Sequence, residues 1–578
     1  MALCPSAIYT EGTHYDEGSP LFKDQAFNVC EAAYEYQLRH PEESVLYQVV
    51  AENLESFLAR QQERGRIVPR FVEHDFRSFL DCGILERGFV RVHCDSCGKD
   101  LAVPFSCKCR SFCPSCGGRR MAETSAHLVD HVFPEVPVRQ WVLSVPFPLR
   151  YRLAYDSSLV SDVAQIFIRA IFSSVRRRAG VPASNRKARC GAVGFIQRFS
   201  DALGLDPHFH VMALDGLYAE NSKSELMFLR VGPPSDAEVA RVADRVHRRV
   251  MRLMEQRGIG RQADPEEADT LRRDEPLLAD LYSASITGRA ATGPRAGKRI
   301  ARVGDGPDSE DAKMKSKPCC AMVEGFSVHA GVCVPARDRF RLERLLRYGL
   351  RPPLSTERLS LLADGRLLYK LKRRWSDGTT HVIYEPMELM ERLAALVPPP
   401  RFNLTRFYGV LAPASTLRPL IVPEDKATIA PTHPGCRECT GTLKRDSDRN
   451  DSEPLQRERE GGTLSPADAL KAFIVAKKET TVGPTNLGYG ARMETSKTDL
   501  DKSGSKRGKK TRNYSWAQLL ERVFEIDILS CPRCGGRMRI LCAINSQPAI
   551  QKILTCLGLP TRAPPVAPAK LEMDETLF

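Results

Sequence analysis

Apolar positions along this chain alternate between two periods. Over residues 44–60, SVLYQVVAENLESFLAR, the residues Val45, Val49, Val50, Leu54, Phe57 and Leu58 recur every three to four positions, which predicts an amphipathic helix with a packing face. From Val138 the stretch VRQWVLSVPFPLRYRL is apolar and β-rich, punctuated by Pro146 and Pro148, and predicts strand. A helix is expected over 159–178. Strands are expected over 191–199 and 208–214, the second closed by an Asp215-Gly216 turn. Ser235 and Glu238 form an S-x-x-E box that opens a long basic helix to about Arg257. Strand character returns over 326–335, which carries His329. A helix over 339–350 is stopped by Pro352-Pro353, a hairpin over 371–384 turns at Asp377-Gly378, and a further helix starts at Ser515. The mixture of separate helices and hairpin-type strands predicts an α+β fold.

Length and charge add to this picture. At 578 residues the chain should hold two to four domains. Lys+Arg 85 against Asp+Glu 71 gives +14, which favours a polyanionic partner, nucleic acid first. The start, MALCPSAIYTEGTHYDEG, lacks the pattern of a signal peptide, and no apolar run approaches the 18 residues of a membrane span, so a cytoplasmic protein without a membrane partner is expected. In a reducing compartment its 19 cysteines point to metal sites rather than disulfides. Residues 426–512 lose periodicity and end in SGSKRGKKTR, which reads as a charged flexible linker.

Three groups of residues carry candidate chemistry. In GAVGFIQRFSDALGLDPHFHVMALDG, a strand would project His208 and His210 from one face and Phe209 from the other, a ready pair of metal ligands. From 12 histidines about 0.25 such pairs arise by chance, so the motif needs its setting. Gln197 on the preceding strand, or His329, would complete the site. In CDSCGKDLAVPFSCKCRSFCPSC, Cys94, Cys97, Cys113 and Cys116 form two Cys-x2-Cys turns able to make a tetrahedral zinc site, with Cys107 a further candidate. A second ion using Cys82, Cys107, His127 or His131 is open, and Cys531-Pro-Arg-Cys534 is half a site whose partner Cys436/Cys439, Cys542 and Cys556, or another subunit would supply. On the helix over 339–350, Arg341, Arg344 and Tyr348 share one face, with Arg351 just beyond; the arginines suit DNA phosphates and the phenol suits attack on a phosphodiester, although from this segment alone an ordinary surface tyrosine is the better reading. The Gly- and Arg-rich run over 288–302 suits phosphate contact but has no nucleotide-binding spacing.

In their order, FSCKCRSFCPSCGGRRMAETSAHLVDH, IQRFSDALGLDPHFHVMALDG, RYGLRPPLSTERL, FYGVLAPASTLR and SWAQLLERVFEIDILSCPRCGGRMRIL resemble the transposases of the insertion sequence 91 family, including those of common-region elements. These belong to the histidine–hydrophobic–histidine (HUH) rolling-circle endonucleases. The resemblance implies an HUH-type antiparallel sheet flanked by helices, an N-terminal zinc-binding module and a small C-terminal Cys-containing module. It implies a division into 1–43, a zinc and DNA-contact domain over 44–135, an HUH/tyrosine catalytic domain over 136–425, the linker, and a Cys-x2-Cys module over 513–578. It also implies structural zinc, catalytic magnesium or manganese on His208 and His210, Tyr348 as nucleophile, single-stranded DNA ends as partner and a bacterial, nucleoid-associated setting. Many relatives carry two tyrosines four residues apart, whereas here Arg344 and Pro352 take those places, which indicates a single-tyrosine enzyme. Alternatives are a rolling-circle replication initiator or relaxase, and a noncatalytic zinc-dependent DNA-binding regulator.

Overall fold

A computed structural model describes residues 38–422 and 529–570, with 518, 519 and 522, apart from 183, 186, 222–224, 260–268 and 305–317. The linker, Cys436 and Cys439 lie outside the described residues, as does most of the helix expected from Ser515. The chain opens with helices α1 (Val45–Glu63), capped by Ser44, and α2 (Arg70–Asp81), then strands β1 (Phe89–Cys94) and β2 (Asp100–Pro104) and helix α3 (Pro114–His131). Next come β3 (Val138–Ser144), α4 (Phe147–Tyr155), α5 (Ser157–Arg178), β4 (Gly191–Phe199) and β5 (Leu205–Leu214). Pro146 and Pro148, read as strand punctuation, instead cap and open α4, because the first turn of a helix needs no backbone donor at those positions. The hairpin β6 (Gly216–Glu220) and β7 (Leu226–Arg230) leads to the basic helix α6 (Asp236–Gln256), where Ser235 accepts from the Glu238 amide at 3.3 Å. Asp215 does not turn a hairpin; it is buried and bidentate to Arg139 at 2.8 and 3.1 Å.

Helix α7 (Pro276–Thr287) precedes β8 (Ala301–Gly304), β9 (Cys320–Val323), β10 (Phe326–His329) and β11 (Cys333–Val334). Then follow α8 (Arg339–Leu350), β12 (Leu359–Leu361), β13 (Leu367–Lys370), β14 (Thr379–Tyr384), α9 (Pro386–Leu396), β15 (Thr405–Gly409), β16 (Met538–Ile544) and α10 (Gln547–Cys556). The largest sheet is antiparallel and runs β15-β4-β5-β3-β10-β9, with β11 also on β3. Its central strands are buried nearly throughout because helices cover both faces. Trp141, Ile196, Phe209 and Val211 face Leu159, Val163 and Phe167 of α5 and Val242 and Val246 of α6. Val193, Phe195, Met212 and Leu214 face Leu128 and Val129 of α3 and Leu342 and Leu346 of α8. Strand parity therefore puts Gln197, His208 and His210 on the face that α8 covers.

By length and composition α5 is apolar enough to cross a membrane, contrary to the sequence expectation, but its apolar stripe is spent on this core, with Leu159, Val163 and Phe167 fully buried. A second core joins α1, α2, α7 and α9 to the sheet β12-β13-β14-β8. There the buried Glu391 accepts from the amides of Ala291 and Thr292, both at 2.7 Å, and so anchors the Gly- and Arg-rich run. The C-terminal segment, expected as a small module, packs on the N-terminal region. Its strand β16 joins β1 and β2 in one three-stranded sheet, and Ile550, Ile553 and Leu554 of α10 pack on Leu85 and Phe89.

Leu346 is fully buried where α8 meets the sheet. Truncation to alanine should cost about 2–5 kcal/mol. Urea unfolding checks this, and an unchanged midpoint would mean that α8 does not seat there.

Candidate active site and cysteine clusters

Gln197 and His208 are direct cross-strand partners on β4 and β5, as are Phe195 and His210. The His208 and His210 rings lie 5.0 Å apart. His208 donates from Nδ1 to the Asp206 carbonyl at 2.7 Å, which leaves the Nε2 lone pair outward. His210 is buried; its Nδ1 lies 2.9 Å from the Gln140 amide, and its Nε2 has no hydrogen-bond partner among the described residues. Gln140 serves either tautomer of His210: turned to present Oε1, it accepts from Nδ1–H and frees the Nε2 lone pair. Burial lowers the pKa of both imidazoles, and the His208 ring and Arg351 push His210 further down, so both are neutral at pH 7.

Gln197 binds in two directions. Its Nε2 donates to the carbonyls of Tyr348 and Gly349, both at 2.9 Å. Two acceptors on one side fix which end of the amide faces them, so Oε1 points away, buried and without a partner among the described residues. Gln197 Oε1 and, with Gln140 so turned, the His210 Nε2 lone pair lie in one buried patch, oxygen and nitrogen donors of the kind that could hold a divalent cation. His329 shares this face but stands beyond β3, opposite Val142, which in turn opposes His210. Two strand spacings, about 10 Å, separate it from His210, and its ring lies against Gly331.

The Tyr348 ring stands edge-on to His210, with centroids 5.7 Å apart, and is 38% exposed. Arg351 lies 4.6 Å from its centroid and Lys372 Nζ 5.0 Å. Burial and the neighbouring Arg351 lower the Lys372 pKa. Of the arginines expected on phosphate, Arg351 joins the tyrosine, whereas exposed Arg344 packs over Phe340 and half-buried Arg341 sits a turn earlier. Tyr369 and Tyr384 are enclosed in the second core, out of reach of a polymer. A cleft lined by Phe147, Arg150, Asp206, Arg302 and Trp375 opens at Asp206, two residues from His208.

The cysteines form two groups, each with its sulfurs within 4.8 Å of one another: Cys82, Cys107, Cys113 and Cys116; and Cys94, Cys97, Cys531 and Cys534. In the first, Sγ separations are 3.7 Å for Cys82–Cys116, 3.4 Å for Cys107–Cys116 and 3.7 Å for Cys82–Cys113. A tetrahedron with Zn–S bonds of about 2.3 Å has edges of about 3.8 Å, so the spacing fits zinc. The expected single site of Cys94, Cys97, Cys113 and Cys116 is therefore divided. The two Cys-x2-Cys turns lie at opposite ends of the β1–β2 hairpin region, and each closes with cysteines from elsewhere. His127 and His131 stack on each other near the far end of α3, more than 15 Å along the helix from Cys116 at about 1.5 Å per residue, and join neither group. Cys542 and Cys556 are exposed and also apart from both.

A transposase family model (Y2_Tnp) matches residues 191–418, and the transposase zinc-binding domain of the insertion sequence 91 type matches residues 49–145. The chain belongs to the insertion sequence 91 family of transposases. No curated protein and no solved structure matches it. The first match contains Gln197, His208, His210 and Tyr348; the second contains the whole first cysteine group, so the transposase carries structural zinc. As a transposase it acts on DNA. Residues that the sequence reading missed here are Gln140, Arg150 and Lys372. They sit on strand β3, helix α4 and the loop after β13, and nothing in local spacing marks them.

In the transposase, Gln197→Ala should leave the Tyr348 and Gly349 carbonyls without their donor and cost about 1–3 kcal/mol. Gln197→Glu, which keeps the volume but removes the donor, should do the same. Chemical denaturation of both variants checks this; wild-type stability in both would show that the carbonyls find other donors.

Proposed function

We propose that this transposase nicks and rejoins single-stranded DNA at element ends through Tyr348, with a fold of the HUH type and a divalent cation held by His208, His210 and Gln197. The observation that carries the reading is the Tyr348 ring against His210, beside the buried, unpartnered Gln197 Oε1 and His210 Nε2. Two neutral imidazoles and one amide oxygen suit manganese as well as magnesium. When bound, such an ion supplies Lewis-acid polarisation of the scissile phosphate.

The protein's own groups account for the remainder. Arg351 and Lys372 lie over the tyrosine and attract the phosphate to it. The Tyr348 oxygen bonds to phosphorus and its proton passes to water. The bond from phosphorus to the 3′ oxygen breaks, and that oxygen leaves and takes up a proton. The products are a 5′-phosphotyrosine and a free 3′-OH. Attack by a 3′-OH on the phosphotyrosine reverses the step without a nucleotide cofactor, because the covalent link keeps the phosphodiester's energy. Arg302, stacked on Trp375 at 4.8 Å in the cleft beside Asp206, offers the cationic and aromatic surface that unpaired bases favour. With Arg344 and Pro352 one turn away on either side, Tyr348 acts alone on its helix, so strand exchange proceeds through one covalent link at a time.

Tyr348→Phe should reduce nicking of a labelled single-stranded end by about 10³-fold or more and abolish the covalent adduct on a denaturing gel, while retaining DNA binding. A normal adduct yield in this variant would exclude Tyr348. His208→Ala should lose manganese-dependent nicking by more than about 100-fold, beyond the loss typical of a residue that only orients a ligand. Unchanged nicking would remove His208 from the ligand set.

A further inference from the structure

The second cysteine group joins parts of the chain that are 434 to 440 residues apart, and Cys531 and Cys534 lie outside both family matches. Its two turns, Cys94-Asp-Ser-Cys97-Gly98 and Cys531-Pro-Arg-Cys534-Gly535, have the same backbone geometry. Gly98 N–H donates to the Cys94 carbonyl at 2.9 Å, and Gly535 N–H donates to the Cys531 carbonyl at 2.8 Å. Cys94 N–H donates to Lys99, and Cys531 N–H to Gly536, five residues on in each case. Both glycines are left-handed, with φ of 73° and 68°. Two matched turns thus face each other with their thiols inward. Cys94 and Cys534 Sγ are 3.5 Å apart, as are Cys97 and Cys531, while Gly536 N–H donates to the Cys534 sulfur at 3.4 Å. The turns also pack tightly: a Cβ on Gly536 would meet Ser96 Oγ at 2.6 Å.

We propose that Cys94, Cys97, Cys531 and Cys534 bind a second structural zinc ion, which clasps the C-terminal segment onto the N-terminal sheet. Four thiolates at the corners of a tetrahedron select zinc among the common divalent ions. What the clasp holds has little core of its own. Beside the site, Met538 packs with Val92 and Cys94, and five of the seven residues of β16 are exposed. Beyond it, α10 contributes Ile550, Ile553 and Leu554, and the chain then runs along α1, where Lys570 N–H reaches Ser56 Oγ at 2.9 Å. Upstream of the site, Arg522 pairs with Asp130 of α3 at 3.1 Å and with Glu343 of the tyrosine helix at 3.0 Å. Loss of the ion frees a segment that braces the back of that helix.

Elemental analysis of the full-length protein after dialysis should give two zinc ions per chain, and Cys531→Ser/Cys534→Ser should give one, as should Cys82→Ser/Cys116→Ser. One zinc in the wild type, or two in the Cys531/Cys534 variant, would overturn the proposal. Cobalt(II) titration of the metal-depleted wild type is independent of whether either variant folds. Two equivalents of thiolate-to-cobalt charge-transfer absorbance support the clasp, and saturation at one equivalent overturns it.

Discussion

The Gln197 side chain is the joint on which the arrangement of the candidate site depends. The last carbonyls of a helix have no partner within it, and on α8 two of them, from Tyr348 and Gly349, are taken by one amide rooted in the sheet beside His208. The same residue therefore fixes where the helix ends, how high the phenol stands over the histidines, and which way its own oxygen faces. Gly349 permits the approach, since a Cβ there would lie 3.0 Å from the Phe195 ring. After it the chain leaves the helix at Arg351, whose extended conformation swings the guanidinium back over the tyrosine.

The helix needs a second support, and the cysteines supply it. The first cysteine group gathers at the start of α3, whose N-cap is Cys113, and α3 runs on to pack against α8 through Leu128, Val129, Leu342 and Leu346. Close contact marks the join: a Cβ on Gly117 would meet the Pro352 ring at 2.7 Å, and Arg339 donates to the carbonyls of Phe133 and Pro134 at 2.8 and 3.1 Å. Metal at these thiols thus sets the position of α3, and α3 sets that of the tyrosine helix. The zinc-binding domain is thereby part of the frame that seats the tyrosine helix.

How much of this the sequence reveals depends on the range of the interactions. The helix that carries Tyr348 is readable to the residue, because its Asp338 cap, leucine stripe and terminating prolines are all local. The shared face of His208, His210 and Gln197 is readable as a possibility from strand parity, and the register of β4 on β5 decides it. The cysteine pairing is not readable, since each Cys-x2-Cys turn looks alike in isolation and the partner of Cys94 and Cys97 lies more than 430 residues away. Proline misleads at 146 and 148 for a related reason: it interrupts a strand and starts a helix equally well, and only the neighbouring core selects between them.

Electrostatics around the histidines add a constraint on the proposed reaction. The ligand atoms assigned to the cation are uncharged, and Arg150 and Arg351 stand nearby, each tied to one carboxylate, Asp206 at 3.1 Å and Asp201 at 3.5 Å. Such a site offers a divalent ion donors but little compensating charge, while the surrounding cations attract phosphate. Under this reading the negative charge comes from the DNA itself. Cation and scissile phosphate then assemble together, and the ordering of the site is tied to the arrival of its substrate. A protein of net charge +14 is suited to that sequence of events, because its field draws in the polyanion that completes the site.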